Sequence, residues 1–284
     1  MVFSKCLTAE EFNPEVIMNS GQVFRMKRET KGADGIPDTY SACSGDNDVY
    51  FYLNKEADTW EFVCEENQWK FWQNYFDFET DYVDYNNKIR KSNDVFLKDA
   101  LKDSFGMRIL RQDLWEVFIS YVISQNNNIP KIKKSIQTLC DRYSDGIHFP
   151  KPDVLASISE EELMNGPALG YRADYIIGIS QRVLVGSLDI AHISKLPYDE
   201  AFNELLKIKG VGPKVANCIM LYGFHFMESY PIDTWMKKII TEDYSSYSKD
   251  SYLKYINETY PGFQGYVQQL QFYHKRKKQC CEDE

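Results

Sequence analysis

The sequence predicts an α+β protein: an N-terminal antiparallel sheet packed on a larger, all-helical part. Three observations carry this. Residues 20 to about 75 alternate short aromatic and β-branched runs with turn-rich stretches. From about residue 95 the apolar spacing lengthens to the period of helices. Strands first and helices after is the order of an α+β chain, not of alternating βαβ units.

Taken in order, "QVFRM" (22–26), "DVYFYL" (48–53) and "TWEFVC" (59–64) read as strands, with "KGADGIPD" (31–38) and "CSGDND" (43–48) as the turns between them. The helices follow as "DLWEVFISYVIS" (113–124), "KIKKSIQTLCDRY" (131–143), "RADYIIGISQRVLV" (172–185), "YDEAFNELLKI" (198–208) and "PKVANCIMLYGF" (213–224). The last is apolar nearly all round, as a buried central helix should be. Two units are expected, a sheet domain over 1–95 and helical domains over 96–284.

Composition narrows the function classes. A chain of 284 residues with 43% hydrophobic and 15% aromatic content is long and apolar enough to bury a sizeable core, which excludes a disordered protein. No apolar run reaches the length of a membrane span, and "MVFSKCLTAEEF" has no signal-peptide hydrophobic region, so a cytoplasmic protein is expected. The seven cysteines are scattered, with Cys280-Cys281 the only close pair; without CxxC or His-rich spacing, no metal and no other cofactor is expected. The net charge of -9 argues against a polyanionic partner, but it is unevenly placed. Residues 1–100 hold 11 Lys/Arg against 19 Asp/Glu, whereas residues 101–284 hold 22 against 23. Local basic clusters, "KIKK" (131–134) and "HKRKK" (274–278), leave room for nucleic acid.

The motif that decides between these classes lies at residues 198–224. "FNELLKIKGVGPKVANCI" is a helix, a tight turn at Gly210-Val211-Gly212, and a second helix. Glycines allow positive φ and close backbone approach, Pro213 suits the first helical position, and the turn's amides can receive a phosphate. Lys214 then stands at a helix N-terminus, where the macrodipole disfavours a cation. Nineteen residues later "YPIDTWMKKII" sets Asp233 as a natural N-cap. Singly, the turn could be a glycine-capped corner and Asp233 only a cap.

Together, a lysine opening the helix after such a hairpin and an aspartate opening the next one resemble the helix-hairpin-helix superfamily of base-excision DNA glycosylases. In its bifunctional members the lysine amine attacks sugar C1′ and expels the base. The resulting Schiff base allows strand cleavage by β-elimination. An amine nucleophile must shed its proton, and a helix N-terminus with partial burial favours the neutral form. The aspartate can stabilise the cationic sugar as it develops.

Five further stretches, "SGQVFR" (20–25), "RQD" (111–113), "SQNNNI" (124–129), "GYRADY" (170–175) and "QGYVQQLQF" (264–272), are similar to the 8-oxoguanine DNA glycosylase/lyases in the same order. The resemblance covers most of the chain. It implies that the Gly21 carbonyl accepts the N7–H that 8-oxoguanine has and guanine lacks, so that an unpaired carbonyl penalises the normal base. It implies that Phe272 and Cys218 sandwich the flipped base and that Gln268 bonds its pairing edge. By the same resemblance Asn126 fills the vacated space, Tyr171 wedges the stack and Arg172 contacts the estranged cytosine. Each has a plainer reading: a turn, a small buried thiol, a core aromatic, a polar loop, a surface tyrosine.

Departures from the family pattern are Lys131 where a second cytosine-reading arginine is common, Trp235 where eukaryotic relatives have histidine, and Lys275 where aspartate is frequent. They suggest a prokaryotic branch and leave the opposite-base preference open, because ammonium lacks the guanidinium fork. The implied function is excision of 8-oxoguanine from double-stranded DNA with abasic-site lyase activity, by a monomer needing no cofactor. A monovalent cation on the hairpin carbonyls near Val211 is left open. The alternatives are a glycosylase for another damaged base and a non-catalytic helix-hairpin-helix DNA-binding protein. Borohydride trapping separates these two classes, since only a lysine nucleophile leaves an adduct.

Overall fold

The computed structural model describes residues 1–32 and 37–282, with side chains to residue 279. The middle of the "KGADGIPD" turn and the Cys280-Cys281 thiols therefore lie outside the described residues. Along the chain run β1 (Val2–Lys5), α1 (Pro14–Asn19), β2 (Lys27–Thr30), β3 (Thr39–Ser44), β4 (Asn47–Asn54), β5 (Thr59–Val63), α2 (Trp69–Tyr75), α3 (Tyr82–Lys91), α4 (Val95–Asp103), α5 (Leu114–Ile123) and α6 (Ile129–Tyr143). Then come α7 (Pro152–Ser157), α8 (Glu160–Asn165), α9 (Arg172–Leu184), α10 (Ile190–Ile193), α11 (Tyr198–Leu206), α12 (Pro213–Tyr222), α13 (Thr234–Glu242), α14 (Lys249–Thr259) and α15 (Gln264–Glu282). The protein is α+β, as its sequence predicts.

The sheet is antiparallel throughout, in the order β1-β5-β4-β3-β2. Phe3, Phe62, Phe51 and Tyr40 are register partners across four of its strands. Phe51 stacks on Phe62 with centroids 5.6 Å apart, and on Tyr40 at the same distance. Aromatic pairs of this kind contribute about 0.5–1.5 kcal/mol each beyond area burial. Phe12, Trp72 and Phe76 cover this face and complete one apolar core. A second core fills the helical part, and α12 runs through it, packed against α5 and α11 with Val215, Ala216 and Cys218–Tyr222 buried.

"QVFRM" is not a strand. It joins no ladder, since the edge strand β2 begins only at Lys27, and residues 22–26 are all buried. Val23 and Met26 enter the sheet core while Phe24 enters the helical one. Arg25 donates to both oxygens of Glu116, at 2.6 and 2.5 Å. The segment is a seam between the two cores, and Gly21 sits at its start.

A second seam is Asp77, whose carboxylate accepts from Tyr82 Oη at 2.7 Å and Arg111 Nε at 2.8 Å, with His225 Nε2 at 3.3 Å. Burial opposes its ionisation, but the bond and charge of His225, with Tyr82 and Arg111, pull its pKa down to about 2. Arg111 of the "RQD" stretch thus serves structure. The "HKRKK" cluster does too: His274 and Lys277 lie 2.6 and 2.8 Å from Asp103, and Lys275 pairs with Glu242 and Asp243. No helix among the described residues is long and apolar enough to cross a membrane.

Candidate active site

The turn between α11 and α12 builds one edge of the site. Gly210 has φ +89°, and a Cβ there would lie 2.5 Å from the Tyr175 ring, so only glycine fits. Its carbonyl accepts from Gln125 Nε2 at 2.8 Å, and Val211 is buried beneath it. Gly212 departs from the expected positive φ: it is extended at φ -92°, ψ 176° and caps α12. Nothing lies within 4 Å of a Cβ placed there, so glycine at this position leaves an open face. No side chain caps α12, which leaves the Lys214 and Val215 amides available to an anion.

Lys214, one residue past Pro213, reaches across to α5. Its Nζ donates to Ser124 Oγ at 3.1 Å and lies 5.5 Å from the Tyr121 ring centroid. Ser124 Oγ gives its own proton to the Tyr121 carbonyl at 2.8 Å, which leaves a lone pair for the lysine. Lys214 and Asp233 line one pocket with Gly21, Cys218, Gln268 and Phe272, so six residues singled out in sequence from four separate stretches share one cavity. That cavity holds about 50 Å³ and adjoins a groove of about 450 Å³ that shares Gly21, Tyr121, Lys214, Asp233 and Phe272 with it. Phe272 is its half-buried wall, with the Arg276 guanidinium 5.2 Å from the ring centroid.

The electrostatics follow from burial. Asp233 accepts the Met236 amide at 2.9 Å as N-cap of α13. Burial raises its pKa, against the pull of that amide and of Lys214. Burial likewise pushes the Cys218 thiol up to about 11, with the Lys214 ammonium opposing, so Cys218 is a neutral wall at physiological pH.

The Ser20-Gly21-Gln22 loop is held from several sides. Gly21 has φ +81°, and a Cβ there would stand 3.0 Å from Ile129 Cδ1 and 3.2 Å from Phe272. Gln22 Nε2 donates to the Arg108 carbonyl at 2.8 Å, and Gln269 Nε2 to the Ser20 carbonyl at 2.5 Å. The Gly21 carbonyl is not left unpaired. Tyr121 Oη bridges it, at 3.2 Å, and the Gln22 carbonyl, at 3.3 Å. This Tyr121 bond qualifies the expected penalty on guanine. Tyr222 stacks on Tyr121 at 5.3 Å and donates to Oε1 of Gln268 at 3.3 Å and to Gln269.

Beyond the pocket, Asn126 holds φ +46°, a left-handed conformation that asparagine tolerates, and donates from Nδ2 to Tyr171 Oη at 3.0 Å. Both side chains are exposed there, side by side. Arg172 departs from expectation. Its guanidinium is buried at 8% exposure and bonds the Gln125, Asn126 and Leu169 carbonyls. Four of its five N–H donors are used in the free protein, where they hold the loop that carries Asn126. Exposed Lys131 and Lys134 of the "KIKK" cluster flank the same groove, of about 460 Å³.

The sequence reading missed Ser124, Tyr121, Tyr222 and Gln269. Ser124 opens "SQNNNI" and Gln269 adjoins Gln268, so both lay inside noted stretches. Tyr121 and Tyr222 sit in apolar helices that read as core, and periodicity gives no sign that their hydroxyls turn toward a pocket.

Residues 6–118 match the family described as 8-oxoguanine DNA glycosylase, N-terminal domain, and residues 119–260 match the HhH-GPD superfamily base excision DNA repair protein. The probable N-glycosylase/DNA lyase of Methanothermobacter thermautotrophicus is 30% identical over 231 residues, covering 71% of this chain and 73% of that protein. The solved structure of MBOgg1 in complex with a low-affinity DNA ligand superposes with a TM-score of 0.87 at 30% identity, covering 98% of this chain and 96% of that one. The 8-oxoguanine glycosylase/lyase of Clostridium acetobutylicum, in complex with double-stranded DNA carrying cytosine opposite 8-oxoguanine, gives a TM-score of 0.84 at 29% identity over 98% of both chains.

Proposed function

The chain belongs to the HhH-GPD superfamily of base excision DNA repair proteins, in its 8-oxoguanine glycosylase/lyase branch, and from that premise we propose that it excises 8-oxoguanine from duplex DNA and nicks the strand at the abasic site. The observation that carries the reading is the convergence of Lys214 and Asp233 on the one cavity walled by Gly21, Cys218, Gln268 and Phe272. Residues 1–95 would contribute the Gly21 loop and residues 96–284 the nucleophile, so the cavity needs both units.

In this reading the lesion leaves the stack and enters between Phe272 and Cys218. Its N7–H donates to the Gly21 carbonyl, and Gln268 bonds the pairing edge. Lys214 Nζ, as neutral amine, attacks C1′. The C1′–N9 bond breaks, and its electron pair leaves with the base, which takes up a proton. Loss of one amine proton and opening of the C1′–O4′ bond, with O4′ taking up a proton, give an iminium that keeps the other N–H. A proton then leaves C2′, and the 3′ phosphate departs by β-elimination. Asp233 faces the positive charge that builds on the sugar. The amides of the Gly210-Val211-Gly212 turn and of α12 hold a phosphate, Asn126 and Tyr171 fill the gap, and Lys131 meets the estranged base. The enzyme acts as a monomer on the DNA of a bacterial or archaeal cell.

The test is single-turnover excision on duplexes carrying 8-oxoguanine, other oxidised or alkylated bases, or none. Fastest release at 8-oxoguanine supports the proposal. Faster release of a methylated purine, with 8-oxoguanine untouched, would give the site to another lesion.

A further inference from the structure

Away from the pocket, β3 and β4 place Cys43 and Asp48 opposite one another as register partners, so their side chains share a face. The loop after α6 brings His148 to the same spot. One donor atom from each of Cys43, Asp48 and His148 lies within 4.8 Å of the other two. His148 stands 100 positions from Asp48 and 105 from Cys43, which is why cysteine spacing gives no hint of the cluster.

The hydrogen bonds around His148 leave a specific gap. Asp145 Oδ1 accepts the Ile147 and His148 amides at 2.9 and 2.7 Å, and Asp145 Oδ2 sits 2.6 Å from His148 Nδ1. With the Nδ1 proton given to Asp145, the neutral ring turns the Nε2 lone pair toward the cluster. Nε2 is buried, has no hydrogen-bond partner, and faces Asp48 Oδ2 at 3.3 Å. A lone pair facing a carboxylate oxygen is repulsive unless a cation lies between them. A proton on Nε2 would serve, and the two aspartates favour it, raising the His148 pKa chiefly through the Asp145 bond. The Cys43 thiol meanwhile donates to the Ile147 carbonyl and accepts from Arg25 Nη1, each at 3.2 Å, so its sulfur faces the same spot.

We propose that Cys43, Asp48 and His148 bind a divalent transition ion of the zinc class, which ties the β3–β4 hairpin to the loop after α6. Thiolate, imidazole and carboxylate are together a zinc-type donor set, and the sulfur excludes magnesium and calcium. Donor atoms around tetrahedral zinc stand roughly 3.3–3.6 Å apart, given metal–ligand distances of about 2.0–2.3 Å. The Nε2–Oδ2 edge already has that length, and Sγ needs to close by roughly 1.5 Å at most. Asp145 on Nδ1 is the outer carboxylate that ligating histidines characteristically have. Arg25 Nη1 donates to Cys43 Sγ at 3.2 Å, a bond that suits a thiolate. Two anionic ligands neutralise the dication, so Arg25 beside them is not repelled, and its own charge is already met by Glu116. Burial pushes the free Cys43 thiol up to about 12, with Arg25 opposing, so binding must release its proton. As the Sγ–metal bond forms, the S–H proton passes to solvent and the metal sheds bound waters. A remaining water or the Ile147 carbonyl, 3.2 Å from Sγ, completes four ligands.

The full-length protein, stripped with chelator, is titrated with Co²⁺ and followed by visible spectroscopy. One equivalent should give tetrahedral d–d bands and a sulfur-to-cobalt charge-transfer band, both displaced by Zn²⁺. The charge-transfer band should vanish in Cys43→Ser and persist when Cys280 and Cys281 are replaced by serine. Asp145→Asn should weaken Co²⁺ binding by about ten- to a hundredfold. Zn²⁺ should raise the Tm of the native protein and leave that of His148→Gln unmoved. Should Cys43→Ser fail to fold, Asp48→Asn tests the same site with sulfur intact and must also bind more weakly. No saturable cobalt spectrum, or one unchanged in these variants, overturns the proposal and leaves His148 as an imidazolium between two aspartates.

Discussion

Removing the Tyr121 hydroxyl should sharpen discrimination between lesion and normal base. The ring of Tyr121→Phe keeps its stack on Tyr222 and its edge contact with Phe24, so the perturbation is confined to Oη. That hydroxyl is held as a donor, because burial raises its pKa well above the ordinary tyrosine value. It serves two carbonyls at 3.2 and 3.3 Å, the long end of the hydrogen-bond range. The Gln22 carbonyl keeps a second partner in Gln112 Nε2 at 2.9 Å, so the loss falls on Gly21. In the native protein Tyr121 partly satisfies the Gly21 carbonyl when guanine, lacking N7–H, occupies the pocket. In the variant only 8-oxoguanine can satisfy it. The difference is one net hydrogen bond, about 0.5–1.5 kcal/mol, or roughly two- to twelvefold in the lesion-to-guanine rate ratio. Single-turnover excision at 8-oxoguanine and at guanine, each opposite cytosine, measures that ratio. A ratio that stays level or falls while lesion excision continues would refute the reasoning, and would mean that the Gly21 carbonyl does not read N7–H.

Asp233→Asn should lower excision by about a hundredfold or more, because the charge facing the developing cation is lost. Its Tm at neutral pH should hold or rise: asparagine caps nearly as well, and the carboxylate's raised pKa makes ionisation a cost of folding that grows as pH climbs through it. Native-like turnover would make Asp233 only a cap. Asp77 behaves in the opposite sense. Its depressed pKa contributes stability above the ordinary value of 3.8 that is lost as pH falls toward about 2. Asp77→Asn should therefore cost about 2 kcal/mol at neutral pH and flatten that acid limb, as denaturant melts across pH would show. Finally, Lys131→Arg should strengthen preference for cytosine opposite the lesion by about five- to a hundredfold over adenine, read as excision with each base opposite. An unchanged preference would remove Lys131 from opposite-base reading.

The sheet-then-helix order and the long helices were legible because they depend on local period and capping. Asp113 and Asp233 cap where the sequence places helix starts, whereas the helix read from Lys131 begins at Ile129 with Asn128 as its cap. "QVFRM" misled because its composition is that of a strand while its five residues are buried on all sides between two cores, which is a tertiary fact. At the site, residue types with a chemical reason for their place, Lys214, Asp233 and Gly21, could be read directly. What local pattern could not give was the use of donors. Arg172 reads as available in the sequence, whereas its guanidinium lies on three carbonyls, and Tyr121 reads as core, whereas its hydroxyl lies at Gly21. The Cys43, Asp48 and His148 cluster was invisible for the same reason, since it exists only once the hairpin meets the loop after α6.

The central claim, that Lys214 is the nucleophile, is tested most directly by borohydride trapping on a duplex with 8-oxoguanine opposite cytosine, followed by peptide mapping. Native protein should yield one covalent adduct, on the peptide that contains Lys214. Lys214→Gln should yield none while still binding the duplex through the amides of the Gly210-Val211-Gly212 turn. An adduct that persists in that variant, or one that maps to another lysine in the native protein, would contradict the account.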